Sequence, residues 1–231
     1  MNEVASKSVL SKMLSLFWEP SGTFTALKER TTAYDVVIPL LIVAVLSMLL
    51  IPVITPVALQ EYKVRIEDSE RLTDAQKEAQ IERLENRGNE VTKYVMTAVT
   101  IVLKVLIVAL FAWFAGNFVL GGEVRFVPIF AVTAYVGLID LISIAVKYPL
   151  MISQETTRIH TSPALFLPES TTFLYRFLAT LDIFAVWKLV LLSIGVGIIN
   201  QIKTNKVFWT LLIMWLLYCV AAAGLGGLVK I

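Results

Sequence analysis

The chain has 231 residues, 57% of them hydrophobic and 16% charged, with a formal net charge of +2. Soluble domains carry about a quarter charged residues and about 45–50% apolar ones, so this composition belongs to the membrane class. The near-balanced charge excludes a bulk electrostatic pull towards nucleic acid, and the single cysteine, Cys219, excludes an internal disulfide and a thiolate-rich metal centre.

Residues 1–20 are broken by Ser, Lys and Glu and do not read as a signal peptide, so the first span is expected to insert the chain. Within residues 5–18, Val9, Leu10, Met13, Leu14 and Phe17 recur at helical spacing on one face. Lys7, Lys12 and several serines fill the other face, and Trp18 ends the segment. This pattern predicts an amphipathic helix lying in the membrane interface, with an arm packed on the protein as the alternative. Pro20-Ser21-Gly22 breaks it. A second short helix follows from Thr23 to Arg30, with Phe24 and Leu27 on its apolar side.

The first span is expected over 36–59, with Pro39 in its first turn. Pro52 and Pro56 each remove a helical hydrogen bond near its end and predict a bend or an early exit. Residues 60–93 are strongly polar, with alternating acids and bases. They predict a helical insert outside the membrane that starts at Thr73-Asp74 and stops at Gly88, either a solvated linker or a partner-binding face. The second span is expected over 94–120, ended by Gly121-Gly122-Glu123, and the third over 126–148, ended by Pro149. The loop 149–180 carries an apolar stripe from Phe173 to Leu178 that suits the interface. The fourth span is expected over 182–202 and the fifth over 207–229, joined by a short basic turn with Lys203 and Lys206. The fold class is therefore all-α: an N-terminal arm, 1–35, and a polytopic bundle of five transmembrane helices, 36–231, carrying the polar insert.

A charge inside a span costs a few kcal/mol at the helix centre on insertion scales, so it needs a partner or water. Lys104 shares its face of the second span with Thr97, Thr100, Ala112 and Ala115, which predicts that it faces other helices and not lipid. Asp140 shares its face of the third span with Thr133, Gly137, Ser143 and Lys147. A Lys104–Asp140 pair would neutralise both charges, and Lys188 is the second candidate partner for Asp140 or could snorkel to the headgroups. Two readings stay open for this set: an ion or proton pathway, or a buried pair that fixes helix registry. The one histidine, His160, has no cysteine nearby, so neither a zinc site nor a Ser-His-Asp set can be assembled around it. No phosphate-cradling or dinucleotide-binding glycine motif is present. No cofactor is expected, and no enzymatic activity.

Two apolar signatures carry a family resemblance. Phe17-Trp18-Glu19-Pro20-Ser21-Gly22-Thr23-Phe24 resembles the aromatic, proline, short gap, phenylalanine lead-in of the Yip family of Ypt/Rab-interacting membrane proteins. Asp182-Ile183-Phe184-Ala185-Val186-Trp187-Lys188-Leu189 resembles that family's D-x-F-x-x-W motif, with Gly195 following. Leu72-Thr73-Asp74-Ala75-Gln76 resembles the acidic helical insert of many bacterial members. The resemblance implies five spans with the N-terminus in the cytoplasm and a bacterial inner (cytoplasmic) membrane location. In eukaryotic members it implies small-GTPase binding and membrane traffic. This chain lacks their Asp-Leu-Tyr-Gly-Pro motif and reads Ala134-Tyr135-Val136-Gly137 in the third span, where members often place a proline after the tyrosine. Within the signature, Asp182 is also placed to cap the fourth helix. The expected partners are membrane lipids and either other membrane proteins or further copies of the chain, and not nucleic acid. The expected role is a non-enzymatic scaffold, with a small transporter or channel built on Lys104 and Asp140 as the alternative.

Overall fold

The computed structural model describes residues 8–69, 71–85 and 90–225, and among these every regular element is helical. Lys7, the expected stop at Gly88 and the last residues of the expected fifth span lie outside the described residues.

The arm forms α1 (Val9–Ser15) and α2 (Pro20–Glu29). The Ser8 hydroxyl accepts the Ser11 amide and opens α1, while Pro20 opens α2, where its missing N–H costs nothing. Next come α3 (Tyr34–Leu49) and α4 (Ile51–Glu67), bent by 56° at the break between them. Pro52 is the reason, because its ring cannot continue the ladder of α3. The Val53 and Ile54 amides instead turn back to the Leu50 carbonyl. Pro39 is the sixth residue of α3, one turn deeper than the sequence places it, and α4 runs past Leu59 to Glu67.

The polar insert forms α5 (Asp74–Glu85), whose start is fixed by the Gln76 side chain accepting the Thr73 amide. The long α6 (Glu90–Phe114) ends in a π-helical turn, Ala115–Val119. Gly121, at φ +75°, then reverses the chain in a backbone region that side chains resist. The Asn117 amide nitrogen and the Trp113 indole N–H both donate to the Val124 carbonyl, which pins the reversal.

The third span is not one unbroken helix. It is α7 (Phe126–Val136) followed by α8 (Ile139–Ser153), and Gly137-Leu138 interrupts the ladder between them. Pro149 does not end it, since α8 carries Pro149 inside and extends to Ser153. A 3₁₀ turn (Pro163–Phe166) and α9 (Phe173–Thr180) lead to α10 (Ile183–Asn200) and α11 (Thr204–Leu225). Gln201, in the left-handed region at φ 58°, makes the tight turn between those last two helices.

Among the described residues four stretches are long and apolar enough to cross a membrane: Val91–Val119, Phe126–Ser153, Ile183–Asn200 and Thr204–Leu225. The bent pair α3–α4 makes a fifth if it counts as one span. The chain is thus a multi-pass integral membrane protein. Phe24, Leu27, Ile129, Val132, Tyr135, Val196 and Val207 are buried at its centre, while Leu103, Phe111, Ile213 and Leu217 face outward, as lipid-facing side chains do. The arm, the α6–α7 reversal and the α10–α11 turn lie at one end of the bundle, because successive spans alternate in direction. The insert α5 and the loop after α8 lie at the other end.

Candidate functional site

Two polar clusters sit inside the bundle, built on different principles. The first fastens the arm. Lys12 and Asp35 form a salt bridge in which both side chains are almost completely out of solvent, at 7% and 0% exposed. The Asp35 carboxylate takes its second oxygen's share from Thr32, whose amide and hydroxyl donate at 2.9 and 2.8 Å. The Tyr135 hydroxyl of α7 donates to the first oxygen at 3.1 Å. Four donors therefore satisfy one buried carboxylate, which is what a charge this deep requires. Around it, the Ser15 hydroxyl lies 2.8 Å from the Thr23 hydroxyl, and both donate to the Lys12 carbonyl.

This corrects the expected orientation of the arm. Lys12 does not lie on an outer polar face but points into the protein, with Met13, Ser15 and Leu16 buried beside it. Leu10, Leu14, Phe17 and Trp18 are exposed, Trp18 at 71%. The reason is that the face bearing Lys12 and Ser15 also carries Met13 and Leu16, and it meets a carboxylate at the start of α3. Asp35 was not singled out in the sequence, and Tyr135 was noted only as part of the Ala134-Tyr135-Val136-Gly137 stretch. The signal that could have found Asp35 is an acid one residue before an apolar run with a threonine three residues upstream, an arrangement typical of a side chain turned back on its own backbone.

The second cluster brings together the three intramembrane charges. Lys188 Nζ donates to one Asp140 oxygen at 2.6 Å, and Lys104 Nζ lies 3.5 Å from the other. Asp140 thus has both candidate partners at once, where the sequence left them as alternatives. Lys104 faces other helices only in part: its ammonium reaches Asp140 of α8, while its side chain is 58% exposed. A cavity of about 230 Å³ lies beside the cluster, lined by Lys104, Asp140, Ser47, Ser143 and apolar side chains of α3, α6, α7 and α8. Lys147, expected on the Asp140 face, turns instead to Asp182.

A family model for the Yip1 domain matches residues 14–225. The chain belongs to the Yip1 domain family. No curated protein and no solved structure matches it.

The signature positions of the Yip1 resemblance fall into two places in the fold. Phe24 and Gly195 meet where α2 crosses α10, with Pro20 opening α2: Phe24 is fully buried, and a Cβ at Gly195 would overlap Val132 Cγ1 and come within 3.3 Å of the Phe24 ring. The missing side chain at Gly195 therefore lets α10 pack closely against α7 and α2. Asp182, Phe184 and Trp187 gather at the start of α10. The Asp182 carboxylate accepts the Phe184 and Ala185 amides at 2.8 and 3.4 Å and caps the helix. Its other oxygen takes Lys147 at 2.5 Å and the Thr161 hydroxyl at 2.6 Å, so one residue joins α8, the loop and α10. Burial pushes this carboxyl up, but the hydrogen bonds from Lys147 and Thr161, the Lys147 charge and the Phe184 amide outweigh it and hold Asp182 below the ordinary carboxylate value. Phe184 is buried with the Lys147 ammonium 5.6 Å from its ring centre, while Trp187 is part-exposed. At the same end, Glu61 of α4 takes Arg158 at 2.9 Å and the Thr157 amide at 2.8 Å, clasping the loop after α8 to the bent half of the first span. His160 Nε2 sits 2.9 Å from the Tyr175 hydroxyl, with no acid in that contact.

Proposed function

We propose that this Yip1-domain protein is a non-enzymatic organiser of other membrane proteins or lipids in a bacterial cytoplasmic membrane, with its N-terminus in the cytoplasm. The observation that carries this reading is the buried Lys12–Asp35–Tyr135 fastening, which makes the arm a fixed part of the bundle. A fixed arm with Leu10, Leu14, Phe17 and Trp18 exposed is suited to lie in the headgroup region and hold a defined shape there. At the opposite end, α5 is a polar helix with contacts chiefly to α4, and it is the surface proposed for protein partners. The basic arm and the short turn with Lys203 and Lys206 support the orientation.

The second reading, a small transporter or channel, is favoured by the charges and cavity at Lys104, Asp140 and Lys188. Against it, both Asp140 oxygens already face ammonium groups, which leaves no free carboxylate for a passing cation.

The two readings separate on affinity purification of the tagged chain from native membranes in mild detergent, with mass spectrometry of what accompanies it. The organiser reading expects a stoichiometric membrane-protein partner that is lost when residues 74–85 are deleted. A partner-free bundle that supports ion flux in liposomes, with flux abolished by Asp140→Asn, would overturn it in favour of transport.

A further inference from the structure

The three-charge cluster does not close on itself. Lys188 and Asp140 make a tight pair at 2.6 Å, which balances one charge against one. Lys104 is left as the surplus, 3.5 Å from a carboxylate that is already engaged and with 58% of its side chain exposed. An ammonium offers three donors, and among the described residues Lys104 uses one of them, on Asp140. Beside it, Ser47 of α3 and Ser143 of α8 bring two hydroxyls to the same cavity of about 230 Å³. The rest of the wall is apolar, including Leu40, Val43, Ile101 and Ile144. The cluster sets two ammonium groups against one carboxylate, and with the hydroxyls and hydrocarbon walls beside it the site suits a group that is anionic at one end and apolar at the other.

Depth supports the same conclusion. The 18 residues of α10 measure about 27 Å, close to the roughly 30 Å of a bilayer's hydrocarbon core, so the first turn of α10 lies near one interface. Lys188 is six residues beyond the cap Asp182, or about 9 Å further in. The Lys104 ammonium, in reach of the same carboxylate, is at a similar level. A surplus charge there is unfavourable if left unpaired, and an anion drawn in from the headgroup layer offsets that penalty.

We propose that Lys104, with the hydroxyls of Ser47 and Ser143, binds the phosphate of an anionic phospholipid that enters sideways from the membrane between α3, α6 and α8. The Lys188–Asp140 pair sits behind the phosphate and keeps Lys104 oriented. A zwitterionic lipid brings a second, positive group towards the same lysines and is disfavoured. Free phosphate offers the same oxygens but nothing for the apolar walls. The site does not rest on the organiser reading, since it would bind lipid in either kind of protein.

The test is the purified full chain in a neutral detergent, titrated with phosphatidylglycerol, phosphatidylcholine or inorganic phosphate. Thermal unfolding midpoint and native mass spectrometry of retained adducts are the readouts. Phosphatidylglycerol is expected to raise the midpoint and to persist as a single adduct, with no such effect from the other two. Lys104→Gln should weaken that binding about tenfold or more, the size of one lost charge-assisted hydrogen bond, and Ser143→Ala by a smaller factor. Lys206→Gln, at the α10–α11 turn, should leave it unchanged. Equal response to phosphatidylcholine, or undiminished phosphatidylglycerol binding by Lys104→Gln, would overturn the proposal. Inorganic phosphate stabilising as strongly as phosphatidylglycerol would overturn the lipid assignment in favour of a free anion.

Discussion

Lys12 and Lys104 are the same side chain put to opposite uses. Lys12 is buried against a carboxylate that also takes two bonds from Thr32 and one from Tyr135. Lys104 reaches its carboxylate only at 3.5 Å and stays more than half exposed beside a cavity. The first arrangement has every acceptor filled and so does nothing but hold the arm in place. The second has donors to spare and can take a ligand. The difference teaches that a charge within a membrane bundle is read by how completely its partners satisfy it, not by its depth alone.

The comparison breaks most visibly at Asp35. Asp35→Leu leaves the Lys12 ammonium buried without its counter-ion, and a loss of about 3–5 kcal/mol is expected. The double variant Lys12→Met with Asp35→Leu should recover part of it, because no charge is left to desolvate although the Thr32 and Tyr135 donors lose their acceptor. Denaturation of the native chain, the two single variants and the double variant in one detergent checks both statements. Next in size is the helix crossing that carries the arm. Gly195→Val should cost about 1–3 kcal/mol by overpacking. Val132→Ala in the same chain should relieve part of it, since Val132 Cγ1 is the atom a Cβ at Gly195 would strike.

At the other end, Asp182→Ala removes the cap of α10 and should cost about 0.5–2 kcal/mol. The pH dependence there has a definite sign. Asp182 is held below its ordinary value in the folded chain, so its contribution is fully present above the unfolded value of about 3.9 and is lost as pH falls through the folded value. Unfolding midpoints measured from pH 6 down to pH 3 should fall less steeply for Asp182→Asn than for the native chain.

Much of this architecture is legible in the sequence because it is local. Pro52 bends the first span where a missing amide must, and Asp182 caps α10 because an acid before an apolar helix has amides to accept. The meeting of Lys104 with Asp140 could be anticipated from two opposite charges at similar depth on polar faces. What stayed hidden depends on partners distant in the chain. Lys12 finds Asp35 at a separation of 23 residues, and Asp35 finds Tyr135 at 100. Periodicity assigns Lys12 to the polar face of α1 but cannot say that this face is turned inward. The break at Gly137-Leu138 was hidden because no proline marks it, and the carbonyl of Thr133 still accepts the Gly137 amide just before the ladder shifts.

The most direct measurement compares Lys12→Met with Lys104→Met, unfolding both by heat in the same lipid-free detergent beside the native chain. The account predicts a large drop in midpoint for Lys12→Met, because the Asp35 carboxylate loses its counter-ion, and no drop for Lys104→Met, because it removes a surplus charge and leaves Asp140 paired with Lys188. Equal destabilisation by the two, or a stable Lys12→Met protein, would contradict it.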